Sequence, residues 1–222
     1  MNNFDTFFNQ FPTTSVTKGQ VILQQGSEPA HAYIIKSGIV KVTSFTSNGE
    51  EKSLAFKVAG DLIPAHWVFG KSRVALHYYQ AYTDCRLYVL DREAILQYIE
   101  VDHFFARFIL DQHIASDLDR QLRVEALEQS RAHLKLLYTF RHLALTYGTR
   151  LKQGFVKIDI PFTQQELANF IGLTRETTIA ALGKLHHDNL IRSDHHYYVV
   201  NTGVMSAVID DEFDPGSTAP VV

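Results

Sequence analysis

Cysteine is almost absent: Cys85 is the only one in 222 residues. A single thiol closes no intrachain disulfide, and it excludes an iron–sulfur cluster held by three or four cysteines of one chain. Such a composition suits a reducing compartment, and a cytoplasmic location is expected. Long apolar runs are absent too. The stretch Leu134 to Leu145 is interrupted by Lys135, Arg141 and His142, so it does not fill a bilayer core of roughly 30 Å, and no membrane partner is expected. The opening Met1-Asn2-Asn3-Phe4-Asp5 has neither the basic nor the apolar region of a secretion signal. There is no large charge excess either, and a net charge of −3 argues against coating nucleic acid by bulk electrostatics.

What is present is a charge gradient. Lys plus Arg stand 12 against 15 Asp plus Glu in residues 1–130, 9 against 5 in residues 131–200, and 0 against 4 in residues 201–222. The middle block is therefore +4 and carries six histidines, whose positive charge would grow beside a polyanion. Hydrophobic residues make up 45% and charged residues 20%, the balance of a folded globular chain long enough for two domains.

From Gly19 to Asp91, short runs such as Val21-Ile22-Leu23, Tyr33-Ile34-Ile35, Ile39 to Val42, Leu54-Ala55-Phe56 and Leu87 to Leu90 alternate with glycine-marked turns at Gly19, Gly26, Gly38, Gly49 and Gly60. The rhythm predicts an antiparallel sandwich or barrel. Beyond Asp91 the pattern turns helical, first over Arg92 to Tyr98 and then from Asp102 to about Gln129. Phe104, Phe108, Asp111, Ala115, Leu118, Leu122, Glu125 and Gln129 recur there at 4-3 spacing, with Ile114 flanking. That stripe is either a dimer seam carried by Phe108, Ala115, Leu118 and Leu122, or a face packed on the chain's own β-domain. Ser130 can cap a helix that stops near Gly148, which places a domain boundary near residues 128 to 131. Two further helices and a hairpin follow, with strands at Leu190 to Arg192 and Tyr197 to Val200. The fold class expected is α+β. An antiparallel, jelly-roll-like β-roll spans residues 1–100, a long dimerisation helix 101–129, a winged helix-turn-helix 130–207 and an acidic flexible tail 208–222.

Thr163-Gln164-Gln165-Glu166 has the form of a capping box, in which the Thr hydroxyl and Glu carboxylate satisfy amides left open by the first turn. Leu167, Ala168 and Ile171 supply the inner face of that helix, and Gly172 suits the positive φ that ends it. Thr174 can then cap a second helix with Leu182 and Leu185 turned inward. Arg175, Glu176, Thr178, Ile179 and Ala180 fall near its N-terminal end. An Arg donates two hydrogen bonds to guanine O6 and N7, and a Glu accepts from cytosine N4, so Arg175 and Glu176 are the expected base readers. Thr163, Thr174, Thr177 and Thr178 complete the expected DNA-binding set; Thr174 and Thr177 hydroxyls would hold phosphates and set register. Ile179 either touches a thymine methyl or is half-buried against the wing.

These residues carry a resemblance. Thr163-Gln164-Gln165-Glu166-Leu167-Ala168, Ile171-Gly172-Leu173-Thr174-Arg175-Glu176-Thr177 and Leu185 with Leu190-Ile191 resemble the helix-turn-helix signature of the Crp/Fnr family. Lys36-Ser37-Gly38-Ile39-Val40-Lys41-Val42 and Ala59-Gly60-Asp61-Leu62-Ile63 resemble its cyclic-nucleotide-binding-like β-roll, and Lys18 to Val200 follows the family order. The resemblance implies a homodimeric transcription regulator that binds a palindromic operator on double-stranded DNA, answers a signal sensed by the β-roll, and works with RNA polymerase.

The chain departs from the family in two places. Members that bind cyclic AMP carry a Gly-Glu pair after the Gly-Asp segment and then an Arg-Ser pair; here the corresponding stretches read Leu62-Ile63-Pro64-Ala65-His66-Trp67 and Val74-Ala75-Leu76-His77-Tyr78-Tyr79. The effector is therefore not expected to be cyclic AMP. His66, Trp67, His77, Tyr78 and Tyr79 either line a pocket for another ligand, with haem iron on a histidine as one form, or are packing residues. Many members also carry a second Arg on the recognition helix, where this chain has Ala180. Two other classes stay open from residue reading alone. One is a cupin-like metal-binding barrel using His66 and His77, although no His-x-His ligand motif is present; the other is a β-roll that binds protein. No catalytic residues are expected.

Overall fold

The computed structural model describes residues 7–49 and 51–209. These fall into two compact units, one ending at Gln112 and the other beginning at His113.

In the first unit, eight strands form two antiparallel sheets. They are β1 (Thr13–Val16), β2 (Val21–Leu23), β3 (Ala32–Ser37), β4 (Val40–Phe45), β5 (Glu51–Lys57), β6 (Leu62–Ile63), β7 (Tyr78–Ala81) and β8 (Cys85–Leu90). One sheet has the order β1-β8-β3-β6 and the other β2-β7-β4-β5. Neighbouring residues on a strand point to opposite faces, and the core is divided accordingly. Ile35 and Leu87 join Leu23, Val40, Val42 and Tyr79 in one cluster. Their neighbours Ile34 and Tyr88 join Phe8, Val68, Ile95, Phe105 and Ile109 in another, where α1 (Ala65–Val68), α2 (Arg92–Val101) and the start of α3 (His103–Glu128) supply residues. The β-roll is as expected. The strands missed from sequence, β1, β6 and β7, are short or lack an alternating apolar pattern.

At the β3–β4 turn Gly38 takes φ +95°, and a Cβ there would collide with the carbonyl of Asp84 and lie 2.7 Å from Cys85 Sγ. Cys85 is buried, with its sulfur 3.3 Å from the Ile39 carbonyl and 3.2 Å from that of Thr83.

The helix α3 corrects part of the expected seam. Phe108 packs into the first unit's aromatic cluster, its ring centroid 5.4 Å from Phe8 and 6.4 Å from Phe105. The 4-3 pattern cannot distinguish a helix face turned to a partner from one turned to the chain's own sheet, and at Phe108 the latter applies. Ala115, Leu118 and Leu122 are half-buried, whereas Leu110, Ile114 and Val124 stand 55%, 58% and 57% exposed.

The second unit takes up the remainder of α3, because Asp119, Arg123 and Ala126 turn inward there. Its boundary therefore lies within the helix and not after it. It continues with α4 (Ala132–Tyr147), β9 (Gly148–Arg150), β10 (Phe155–Ile158), α5 (Gln164–Ile171), α6 (Arg175–His187), β11 (Ile191–Asp194), β12 (Tyr197–Asn201) and α7 (Thr202–Ile209). The sheet order is β11-β12-β10-β9. Ser130 does not cap α4; the N-cap is Arg131, which makes no side-chain cap bond. Val208 and Ile209, expected in the tail, belong to α7; the rest of that tail lies outside the described residues.

Candidate nucleic-acid interface

The reading helix is built from its caps. Thr163 Oγ1 accepts from the Glu166 amide at 3.1 Å, while Glu166 Oε2 accepts from the Thr163 amide at 2.8 Å. Each side chain satisfies a donor the first turn leaves open. Gly172 ends α5 at φ +70° and sends its amide to the Ala168 carbonyl. Only Leu173 intervenes before Thr174, which starts α6 by accepting from the Thr177 amide at 3.2 Å.

The two faces of α6 differ sharply. Thr178, Ala181, Leu182 and Leu185 are buried. Arg175, Glu176, Ile179, Ala180, Gly183 and Lys184 are exposed. Among the described residues, no hydrogen bond or ion pair holds Arg175 or Glu176, so both expected base readers project freely from the positive end of a helix. Ile179 is 40% exposed, which removes it from the half-buried alternative and leaves it beside Ala180 on the open face.

Thr178 is the correction. It is fully buried, and its hydroxyl donates to the Thr174 carbonyl at 2.9 Å, so it cannot face DNA. Thr177 remains exposed, its hydroxyl 3.0 Å from that of Thr174. Positions 174 to 180 look alike on a propensity scale; only the phase of the buried face sorts them.

The wing joins the reading helix through His186, whose Nε2 lies 2.9 Å from Ser193 Oγ on β11. The exposed His187 and His195 pair with their neighbours Asp188 and Asp194, at 3.0 Å and 2.9 Å. His133 sits below the ordinary histidine range, first through burial and then through the positive charges of Lys184 and Arg131. That proximity marks a positive surface beside α6. Nothing in the sequence joins His133, Arg131 and Lys184, which belong to α4, the α3–α4 junction and α6.

Of the residues expected for an effector pocket, Trp67 and Tyr79 belong to different core clusters, while His66 lies near His77. Trp67 packs on the helical side of the β-roll, with the Arg92 guanidinium 5.7 Å from its ring. Tyr79 belongs to the other core cluster, and burial pushes its hydroxyl up to about 12. His66 is exposed; His77 is half-buried, with no partner for its enclosed Nδ1 among the described residues. The donor set also does not suit a cyclic nucleotide. A phosphate needs cations or several N–H donors, whereas Leu62, Ile63, Val68 and Ala75 close into the core. Asp61 faces inward, its carboxylate accepting from the Val58 amide at 2.8 Å and pairing with Lys57 at 3.3 Å.

Two family models divide the chain between them: the cyclic nucleotide-binding domain over residues 13–102 and the Crp-like helix-turn-helix domain over residues 106–203. The regulatory protein HlyX of Actinobacillus pleuropneumoniae is 26% identical over 192 residues, covering 84% of this chain and 76% of its own. The transcriptional regulator SdrP of Thermus thermophilus is 26% identical over 184 residues, covering 82% and 85%. In fold, the chain is similar to the crystal structure of a CRP/FNR-family transcriptional regulator, also from Thermus thermophilus. The TM-score is 0.68 at 22% identity, with 90% of this chain and 99% of that one covered.

Proposed function

Since the chain belongs to the Crp/Fnr family of transcription regulators, we propose that it binds a palindromic operator as a homodimer and reads each half-site with Arg175 and Glu176. The observation that carries this reading is the pair of exposed side chains at the capped start of α6, without a hydrogen-bond or ion-pair partner among the described residues. Thr163, Thr174 and Thr177 are the phosphate-side groups, and Ile179 lies against the base edges. Two copies are needed because one recognition helix covers only one half-site, and half-sites lie about one helical turn apart. Ala115, Leu118 and Leu122, with the exposed Leu110, Ile114 and Val124, form the seam between copies. The complex works with RNA polymerase in the cytoplasm, and its effector is not cyclic AMP.

Selection from random duplexes tests this, followed by titration of the selected site at two salt concentrations. A palindrome is expected, with affinity falling steeply as salt rises. Native mass spectrometry should give a dimer mass. A selected pool with no two-fold repeat, or binding indifferent to salt, would overturn the reading.

A further inference from the structure

On its inward face in the second unit, α3 carries charge where an apolar residue would ordinarily sit. Asp119 is 5% exposed, and one turn on Arg123 is half-buried. The Arg123 guanidinium lies 3.7 Å from the centroid of the Phe170 ring, and one of its N–H groups donates to the Phe170 carbonyl at 3.0 Å. Phe170 stands in the last turn of α5, where carbonyls lack an intrahelical partner and the helix dipole favours a cation. The cluster extends to α4. His142 Nε2 meets Asp119 Oδ1 at 2.6 Å, and the His142 ring lies parallel to Phe170, within 10° and 6.3 Å away. Burial pushes Arg123 down to about 10, opposed by the charges of Asp119 and Tyr147, so it stays a cation at neutral pH.

A buried charged cluster of this kind contributes little net stability, because desolvation offsets the attraction. What it supplies is direction. An apolar contact lets two helices slide or roll at small cost, whereas a planar guanidinium stacked on a ring and bonded to a carbonyl fixes both translation and rotation. The held element is the first helix of the helix-turn-helix, and only Gly172, Leu173 and Thr174 separate it from α6. The holding element is the helix whose Leu122, next to Arg123, belongs to the seam.

We propose that Arg123 is a positioning residue that sets the angle of the reading helix relative to the seam helix, and hence the half-site spacing that the dimer accepts. The inference rests on the homodimeric DNA-binding reading above.

The test uses full-length protein and duplexes in which two copies of the selected half-site are separated by spacers of varied length. Wild type, Arg123→Met, Arg123→Lys and Phe170→Leu are compared for affinity at each spacing and on a single half-site, with thermal melts alongside. Phe170→Leu removes the stacking ring while keeping the backbone carbonyl and the charges, so the contact is tested even if Arg123→Met does not fold.

A folded Arg123→Met should keep wild-type base preference and single half-site affinity. It should lose at least about tenfold on the best-spaced palindrome, since mispositioned heads forfeit simultaneous engagement, and its spacing profile should flatten. Arg123→Lys, which keeps the charge without the planar fork, should fall between. A wild-type spacing profile in the folded variants would overturn the inference, as would an equal loss on the single half-site and the palindrome. If wild type itself prefers no spacing, the homodimer reading fails first.

Discussion

Thr178 donates its hydroxyl to the Thr174 carbonyl, and the same carbonyl also accepts the Thr178 amide at 3.0 Å. Removing the hydroxyl therefore strands no acceptor. Thr178→Val should reduce stability by no more than about 0.5 to 1.5 kcal/mol and leave operator preference untouched. Urea unfolding and competition between operator variants check both parts; a shifted base preference would return Thr178 to the DNA face.

Arg175→Ala and Glu176→Ala should each weaken the operator complex by about 1 to 3 kcal/mol per half-site and relax preference at one base position. Lys184→Ala, on the same exposed side of α6, should weaken all sequences alike and reduce the salt slope by about one. Binding curves on a panel of single-base operator variants separate the two patterns.

The two ends of α5 fail by different routes. Thr163→Ala removes one half of the capping box and should cost about 1 kcal/mol. Gly172→Ala meets nothing within 4 Å, so its penalty comes from the backbone held at φ +70° and should again be about 1 kcal/mol. Calorimetric melting of both variants is the check; a neutral Gly172→Ala would mean that the turn relaxes.

Phe108→Ala distinguishes packing from seam. It should lower the stability of the first unit by about 2 to 3 kcal/mol, somewhat less than a fully buried phenylalanine, while the dimer mass persists. Ile114→Asp should do the reverse, because its side chain is exposed in the single chain. Sedimentation velocity and thermal melts of the pair decide.

His77 makes the first unit sensitive to acid. Burial first, and the nearby His66 second, hold it below the ordinary value of 6.5. As pH falls, the unfolded chain therefore takes up this proton before the folded one, and stability declines from near the unfolded value down through the folded one. His77→Gln should flatten part of that decline in urea midpoints measured from about pH 7 to about pH 5. An unchanged slope would show that another group is responsible.

The elements written in local chemistry were readable in advance. Thr163, Glu166, Gly172 and Thr174 act on neighbours within three or four residues, so their type and spacing foretold both helices and the turn. Strand β6, at two residues, is defined only by Tyr33 and Ile34 across the sheet, and nothing in Leu62-Ile63 itself announces it. Thr178 was misassigned, and the side covered at Phe108 was left open, for one reason. A residue's place on a helix circumference is local, but what covers that side is not. The Asp119, Arg123, His142 and Phe170 cluster draws on three helices, and its members look like ordinary surface charges and a core aromatic until those helices meet.

Cys85, introduced as a scarcity, is also a gauge. Its sulfur is sealed beneath the Gly38 turn, and burial raises the thiol away from its reactive form, so a labelling reagent reaches it only through transient opening of the first unit. With no second cysteine anywhere in the sequence, the labelling rate reports that opening free energy alone when reclosing outpaces the reagent. The unaltered chain thus carries its own single-site probe: a ligand that binds the closed β-roll should slow labelling in proportion to its occupancy, and an unknown effector could be found by that delay, whatever its chemistry.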